Sequence, residues 1–199
     1  MTPEYTLSPE QIDSYHEQGF LKITDLFSAD QAKGLVKEVR DIQSWPDTPG
    51  KWMNYYEHNK HTNSLQLCRT ENFTPYNEHI RIYSPGSIPK SHVDSKVIPH
   101  SEDGSINDEW CDSHTWIPVE CNSGDVLIFG SYLAHKSGEN KSNISRANLY
   151  MTYNPLSEGD KRAEYYADKR EKFPPLNERM VGKDYSAGAR TYNFANPIL

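Results

Sequence analysis

Cysteine is scarce in this chain, basic charge is in deficit, and long apolar runs are missing. Each shortage excludes something. The three cysteines, Cys68, Cys111 and Cys121, are an odd and widely spaced set in 199 residues. They read as free thiols in a reducing compartment rather than a disulfide framework, and the sequons at Asn72, Asn140 and Asn143 are then chance matches. A net charge of -7 argues against nucleic acid or an anionic membrane as a partner. Local basic pairs such as Lys169-Arg170 read as solvated surface. No apolar run reaches transmembrane length, and Met1-Thr2-Pro3-Glu4 has neither a basic n-region nor an apolar h-region, so the expected location is cytoplasmic. A Gly-rich phosphate loop, His-Glu-X-X-His, Cys-X-X-Cys and a nucleophile elbow are all lacking, which ranks a metal- or cysteine-dependent hydrolase low. Mean hydropathy is -0.84. Yet 13 Tyr and 4 Trp make the chain too aromatic for a disordered one, and its length suits one substantial core.

What is present begins with two helix starts. Ser8-Pro9-Glu10-Gln11 supplies an N-cap Ser, a first-turn Pro and a Gln at the third position. Gly19 is a natural stop, and Phe20-Leu21-Lys22-Ile23 alternates like a strand. Ser28 to Gln31 repeats the capping pattern. The helix after it carries Leu35, Val36, Val39 and Ile42 at core spacing and ends before Trp45-Pro46. From Lys51 the pattern shifts to short strands: 52–57, 65–69, 80–83, 116–119, 126–129 and 147–153. Helices followed by closely spaced strands predict a helix-decorated β-sandwich or barrel. The tail after Pro155 reads as helix and loop packed over that sandwich.

The richest chemistry lies in the run from Gly124-Asp125 to Tyr153. A Gly-Asp turn launches Val126-Leu127-Ile128-Phe129, and His135 closes that strand. A polar hairpin with Asn140 and Ser142 follows, and Arg146 opens the next strand. His135 and Arg146 can then lie side by side at the open end of a sandwich. An imidazole is a good ligand for a first-row metal, and a guanidinium fork matches a carboxylate. The bland alternative is a strand-end His and a surface ion-pair Arg. The framed run favours the functional reading.

The stretch Gly124 to Tyr153 resembles the C-terminal signature of the phytanoyl-CoA dioxygenase-like Fe(II)/2-oxoglutarate oxygenases. Tyr15-His16-Glu17-Gln18-Gly19-Phe20-Leu21 is similar to that family's helix-then-strand opening. Ile82-Tyr83-Ser84-Pro85-Gly86-Ser87 resembles its strand ending in Pro-Gly-Ser, with Ile88 where a His usually follows. The tail from Tyr165 to Ile198 looks like the branch acting on small polar molecules, including phosphonates and hypophosphite. The resemblance implies that His135 is the distal ligand of Fe(II). It implies that Arg146 binds the far carboxylate of 2-oxoglutarate, and that the partner is a small-molecule substrate.

The family's other two iron ligands form a His-X-Asp/Glu motif on an early core strand, and that segment looks absent here. The seam falls near Asn77 to Ile80. His92-Val93-Asp94 matches the motif literally, but it follows the Pro-Gly-Ser turn, where a loop is expected, so neither His92 nor Asp94 is assigned as a ligand. The expected fold is mainly β with N-terminal helices, an incomplete double-stranded β-helix or jelly roll with an exposed edge. It forms one domain over 1–199, with a helical N-terminal region over 1–78, sandwich strands over 79–155 and a C-terminal extension over 156–199. The alternative to an active oxygenase is a catalytically defective, truncated member that binds a small acid without iron turnover.

Overall fold

The computed structural model describes residues 5–59, 61–77, 98–101, 105–130, 133–138, 140–142 and 144–192. The first elements form where local chemistry dictates. Helix α1 (Pro9–Gln18) starts at Ser8, whose Oγ accepts from the Gln11 backbone N–H while Gln11 Oε1 accepts from the Ser8 N–H. It stops at Gly19, whose φ of 78° is the left-handed conformation that glycine adopts without strain. Strand β1 (Phe20–Ile23) follows. Helix α2 (Ala29–Gln43) repeats the reciprocal cap at Ser28 and Gln31.

Strands β2 (Met53–His58) and β3 (Leu65–Glu71) form an antiparallel hairpin with a bulge between Tyr55 and Tyr56. Its turn is tied by Asn59, whose Oδ1 accepts from the His61 and Thr62 N–H groups. The short helix α3 (Asp108–Asp112) is capped by Asn107. Strand β4 (Val126–Phe129) pairs antiparallel with β1, Phe20 opposite Phe129 and Ile23 opposite Val126. Helices α4 (Arg162–Lys172) and α5 (Ser186–Tyr192) make up the tail. Among the described residues no helix is long and apolar enough to cross a membrane.

Two hydrophobic clusters organise these elements. Tyr15, Leu21 and Ile23 are buried together with Leu7, Leu26 and Ile128 against them. Met53, Tyr55 and Phe173 form the second, flanked by Tyr166, Ala189 and Tyr192. The tail therefore packs as helix and loop, as expected, and its bed is the β2–β3 hairpin. Lys169 corrects the reading of a solvated basic pair. It is 1% exposed, and its ammonium donates to both Glu71 carboxylate oxygens at 2.8 and 2.7 Å. The rings of Tyr55, Tyr165 and Tyr192 lie 5.1, 5.9 and 5.6 Å from it. Burial lowers the Lys169 pKa and Glu71 opposes that shift. Desolvation likewise pushes the Tyr165 phenol up to about 12.

The strand content departs from expectation. The described residues hold two two-stranded sheets, β1-β4 and β2-β3, and more helix than strand. The mainly-β expectation is thus corrected for these residues. Segments 116–119 and 147–153, expected as strands, pair with nothing among the described residues and are irregular. Their composition suits a sheet, but a strand exists only with a neighbour to complete its hydrogen bonds. The side chains report the same: Ile117 is 69% exposed and Tyr150 71%. Val36 of α2, expected in the core, is also exposed. The expected strand at 80–83 and the Pro-Gly-Ser turn lie outside the described residues.

Candidate functional site

The Gly124-Asp125 turn is locked before β4 begins. Asp125 Oδ1 accepts from the Asp25 N–H at 3.0 Å and Oδ2 from the Asn122 N–H at 2.8 Å. Lys22 Nζ lies 3.0 Å from Oδ2. The two backbone donors, then Lys22, hold the Asp125 pKa down at about 2. Gly124 carries φ 105°, and a Cβ there would meet the Phe27 carbonyl oxygen at 2.5 Å. Only glycine fits. The Phe27 N–H donates back to the Gly124 carbonyl at 3.0 Å. The launch point of β4 is thus bolted to the β1–α2 turn.

Beyond β4 the backbone turns, Leu133 N–H donating to the Gly130 carbonyl at 3.0 Å. A Cβ on Gly19 would come 3.1 Å from Leu133 Cδ1, so the end of α1 abuts this turn. His135 follows, exposed. Its Nδ1 is 2.8 Å from the Leu133 carbonyl oxygen. A carbonyl can only accept, so Nδ1 carries a proton, and in the neutral ring Nε2 is the nitrogen with the lone pair. This is the tautomer a metal-ligating imidazole adopts when its other nitrogen is oriented by a backbone carbonyl. The Phe129 ring lies 4.9 Å from the imidazole.

Arg146 is placed less firmly. It is exposed, next to Ser145, whose Oγ accepts from Arg40 Nη1 at 3.0 Å. The polar turn that precedes it does form: Asn140 Nδ2 donates to the Ile144 carbonyl at 2.9 Å, and Ser142 Oγ donates to Asn140 Oδ1 at 2.7 Å. The strand that would carry Arg146 alongside His135 does not. So the hairpin's turn is present without its second strand.

Among the described residues no three His, Cys, Asp or Glu side chains gather as a metal-holding group. His135 fits one position of an iron centre; the described donor set does not fit the centre as a whole. His92 and Asp94 lie outside the described residues. Sequence reasoning missed the Leu133 carbonyl, a backbone group no motif records, and Trp116, whose ring faces Lys136 at 4.2 Å.

Known proteins match this same stretch. The family model for phytanoyl-CoA dioxygenase (PhyH) matches residues 86–148, which include His135 and Arg146. A 2-aminoethylphosphonate dioxygenase from an uncultured bacterium, HF130_AEPn_1, is 29% identical, the match covering 95% of this chain and 97% of that protein. Along the matched stretch the chain is similar to phytanoyl-CoA dioxygenase. A methylphosphonate hydroxylase of Gimesia maris is 26% identical to this chain over 86% of it and 90% of the relative. Dioxygenase lolE1 of Epichloe uncinata is 36% identical over 45% of this chain and 35% of its own length. No solved structure matches.

The lengths of the first two matches carry a further fact. The first runs over 255 aligned positions, but 95% of 199 residues is only about 189, so about 66 positions face no residue of this chain. The second runs over 236 positions against about 171 residues, a deficit of about 65. The two alignments thus hold similar numbers of positions with no residue of this chain opposite them.

Proposed function

We propose that this chain is built as an Fe(II)/2-oxoglutarate-dependent dioxygenase-type oxidoreductase for a small polar substrate of the phosphonate class. In this reading it forms one domain over 1–199 of incomplete jelly-roll type and works in the cytoplasm. His135 offers Nε2 to the iron, and Arg146 takes the far carboxylate of 2-oxoglutarate in a bidentate, charge-assisted contact. The observation that carries the reading is His135 itself: a ring whose Nδ1–H is spent on the Leu133 carbonyl, inside the family-matched stretch. The names of the two relatives matched over most of this chain support the substrate class.

The chemistry of the bound iron would be oxidative attack on a C–H or P–H bond coupled to decarboxylation of the 2-oxo acid. This chain's own residues bind and orient. Arg146 neutralises and aligns the acid, and the bolted Gly124-Asp125 turn keeps β4, which leads towards His135, in register with β1. Arg146→Ala should abolish 2-oxoglutarate binding measured by calorimetry. Arg146→Lys should weaken it through loss of the fork. Equal affinity in all three proteins sinks the assignment.

A second reading is favoured by the deficit of about 65 positions and by the lack of a three-donor group among the described residues. It is a catalytically defective, shortened member that keeps acid binding and has lost turnover. Anaerobic Fe(II) titration followed by O₂ and succinate measurement, with methylphosphonate and 2-aminoethylphosphonate as substrates, separates the two. Stoichiometric iron and succinate release support the active reading. If His92→Ala or Asp94→Ala abolishes that turnover, these residues complete the ligand set. 2-Oxoglutarate binding with neither iron nor succinate supports the defective form.

A further inference from the structure

We propose that Lys136 and Trp116 form a positioning pair that fixes the backbone carrying His135. The proposal rests on His135 being a metal ligand only for its purpose, not for its geometry. Lys136 Nζ lies 4.2 Å from the Trp116 ring centroid, the closest cation–ring approach among the described residues. Trp116 is itself anchored. Its Nε1–H donates to the Cys111 carbonyl at the end of α3 at 2.8 Å. Trp110 meets its ring edge-on with centroids 6.4 Å apart. Trp110 in turn is stacked on His114 at 3.8 Å.

A short, well-anchored aromatic platform thus reaches across about twenty residues of sequence to hold the side chain next to His135. On the other side, Leu133 is held by the Gly130 carbonyl and abuts the α1 terminus at Gly19. The backbone is therefore pinned at 133 and at 136, with His135 between the pins. The Nδ1–H bond to the Leu133 carbonyl needs that segment to keep its shape, because donor and acceptor are only two residues apart. Freeing Lys136 lets residue 135 rotate. The Nδ1–H bond then weakens, and the tautomer that leaves Nε2 bare is populated less.

The test is imidazole NMR on the whole chain, without metal and then with Co(II) as the probe. Wild type should show His135 protonated at Nδ1. Lys136→Met should shift the tautomer ratio away from that form two- to fivefold, which is about 0.5–1 kcal/mol at 1.4 kcal/mol per tenfold. The Co(II) concentration that half-broadens the His135 signals should rise by the same factor. Lys136→Arg, which keeps a cation on the ring, should restore both readouts. Thermal midpoints should match wild type in both variants. The proposal is overturned if Lys136→Met leaves the tautomer ratio unchanged, or if the change only tracks a fallen midpoint. If the tautomer responds to Lys136→Met while Co(II) never broadens wild-type His135, the pair stands and the metal-ligand reading alone fails.

Discussion

The hairpin–tail unit and the segment from β4 to Tyr153 are built from similar residues and end in opposite states. Both carry tyrosines, aliphatics and basic side chains. In the hairpin–tail unit these find partners. Tyr55 stacks on Phe173 with ring planes 6° apart and donates its hydroxyl to the Phe173 carbonyl at 2.9 Å. Tyr192 donates to Asp168. In the other segment Ile144 and Tyr150 face solvent and Leu149 is 38% exposed. Propensity is thus not what separates them. The hairpin brings its own second strand and the tail covers it, whereas the 147–153 segment pairs with no strand among the described residues.

The largest effect that would break this contrast is at Lys169. Lys169→Ala empties a fully buried site and leaves the partly buried Glu71 with Arg69, 2.6 Å away, as its remaining counter-charge; it should cost about 3 kcal/mol, read as a fall in the urea midpoint. Lys169→Met, which refills the volume of the buried stem without the charge, should recover part of that loss. A Lys169→Ala variant as stable as wild type would mean that the hairpin and tail are not locked through this pair.

Gly124→Ala comes next. The clash with the Phe27 carbonyl and the positive φ together should cost about 2–3 kcal/mol. The loss should appear as a lower thermal midpoint, with the β1–β4 pairing the first to open in hydrogen exchange.

Asp125 gives a pH signature. Its folded pKa lies below its unfolded value, so its stabilisation is complete above the ordinary carboxylate value of 3.8 and drains away as pH falls towards about 2. Urea midpoints measured across that window should fall with pH in wild type more steeply than in Asp125→Asn. Parallel curves would remove the carboxylate from the lock.

The smallest effect sharpens the comparison most. Tyr150→Ser and Ile144→Ser should change stability by no more than about 0.5 kcal/mol, because both side chains are already in water. In a closed sandwich the same changes would cost several times that. A loss above about 2 kcal/mol in a denaturant titration would show that the segment is buried in solution.

Local signals were the legible portion of this fold. Both capping boxes, the Gly19 stop, the β1 and β4 strands and the tail's helices could be read because each depends on residues a few positions apart. The Asn140–Ile144 turn formed for the same reason. What could not be read needs distant partners. Lys169 passes for a surface cation until Glu71 is placed against it from 98 residues away. Segments 116–119 and 147–153 have strand composition without strand neighbours. At the candidate site, the Gly124-Asp125 turn and β4 were legible in the framed run, but the carbonyl that holds the His135 ring and the tryptophan beside Lys136 belong to backbone path and long-range packing.

The separation of Glu71 from Lys169 also sets a clock on biosynthesis. At about 5–20 residues per second, the ribosome delivers Lys169 some 5–20 s after Glu71. For that interval Met53 and Tyr55 lack Phe173, and Glu71 lacks its ammonium. The hairpin can close on itself within microseconds, but it waits with one face bare until the tail emerges. The nascent chain between those two moments is the form a chaperone would meet.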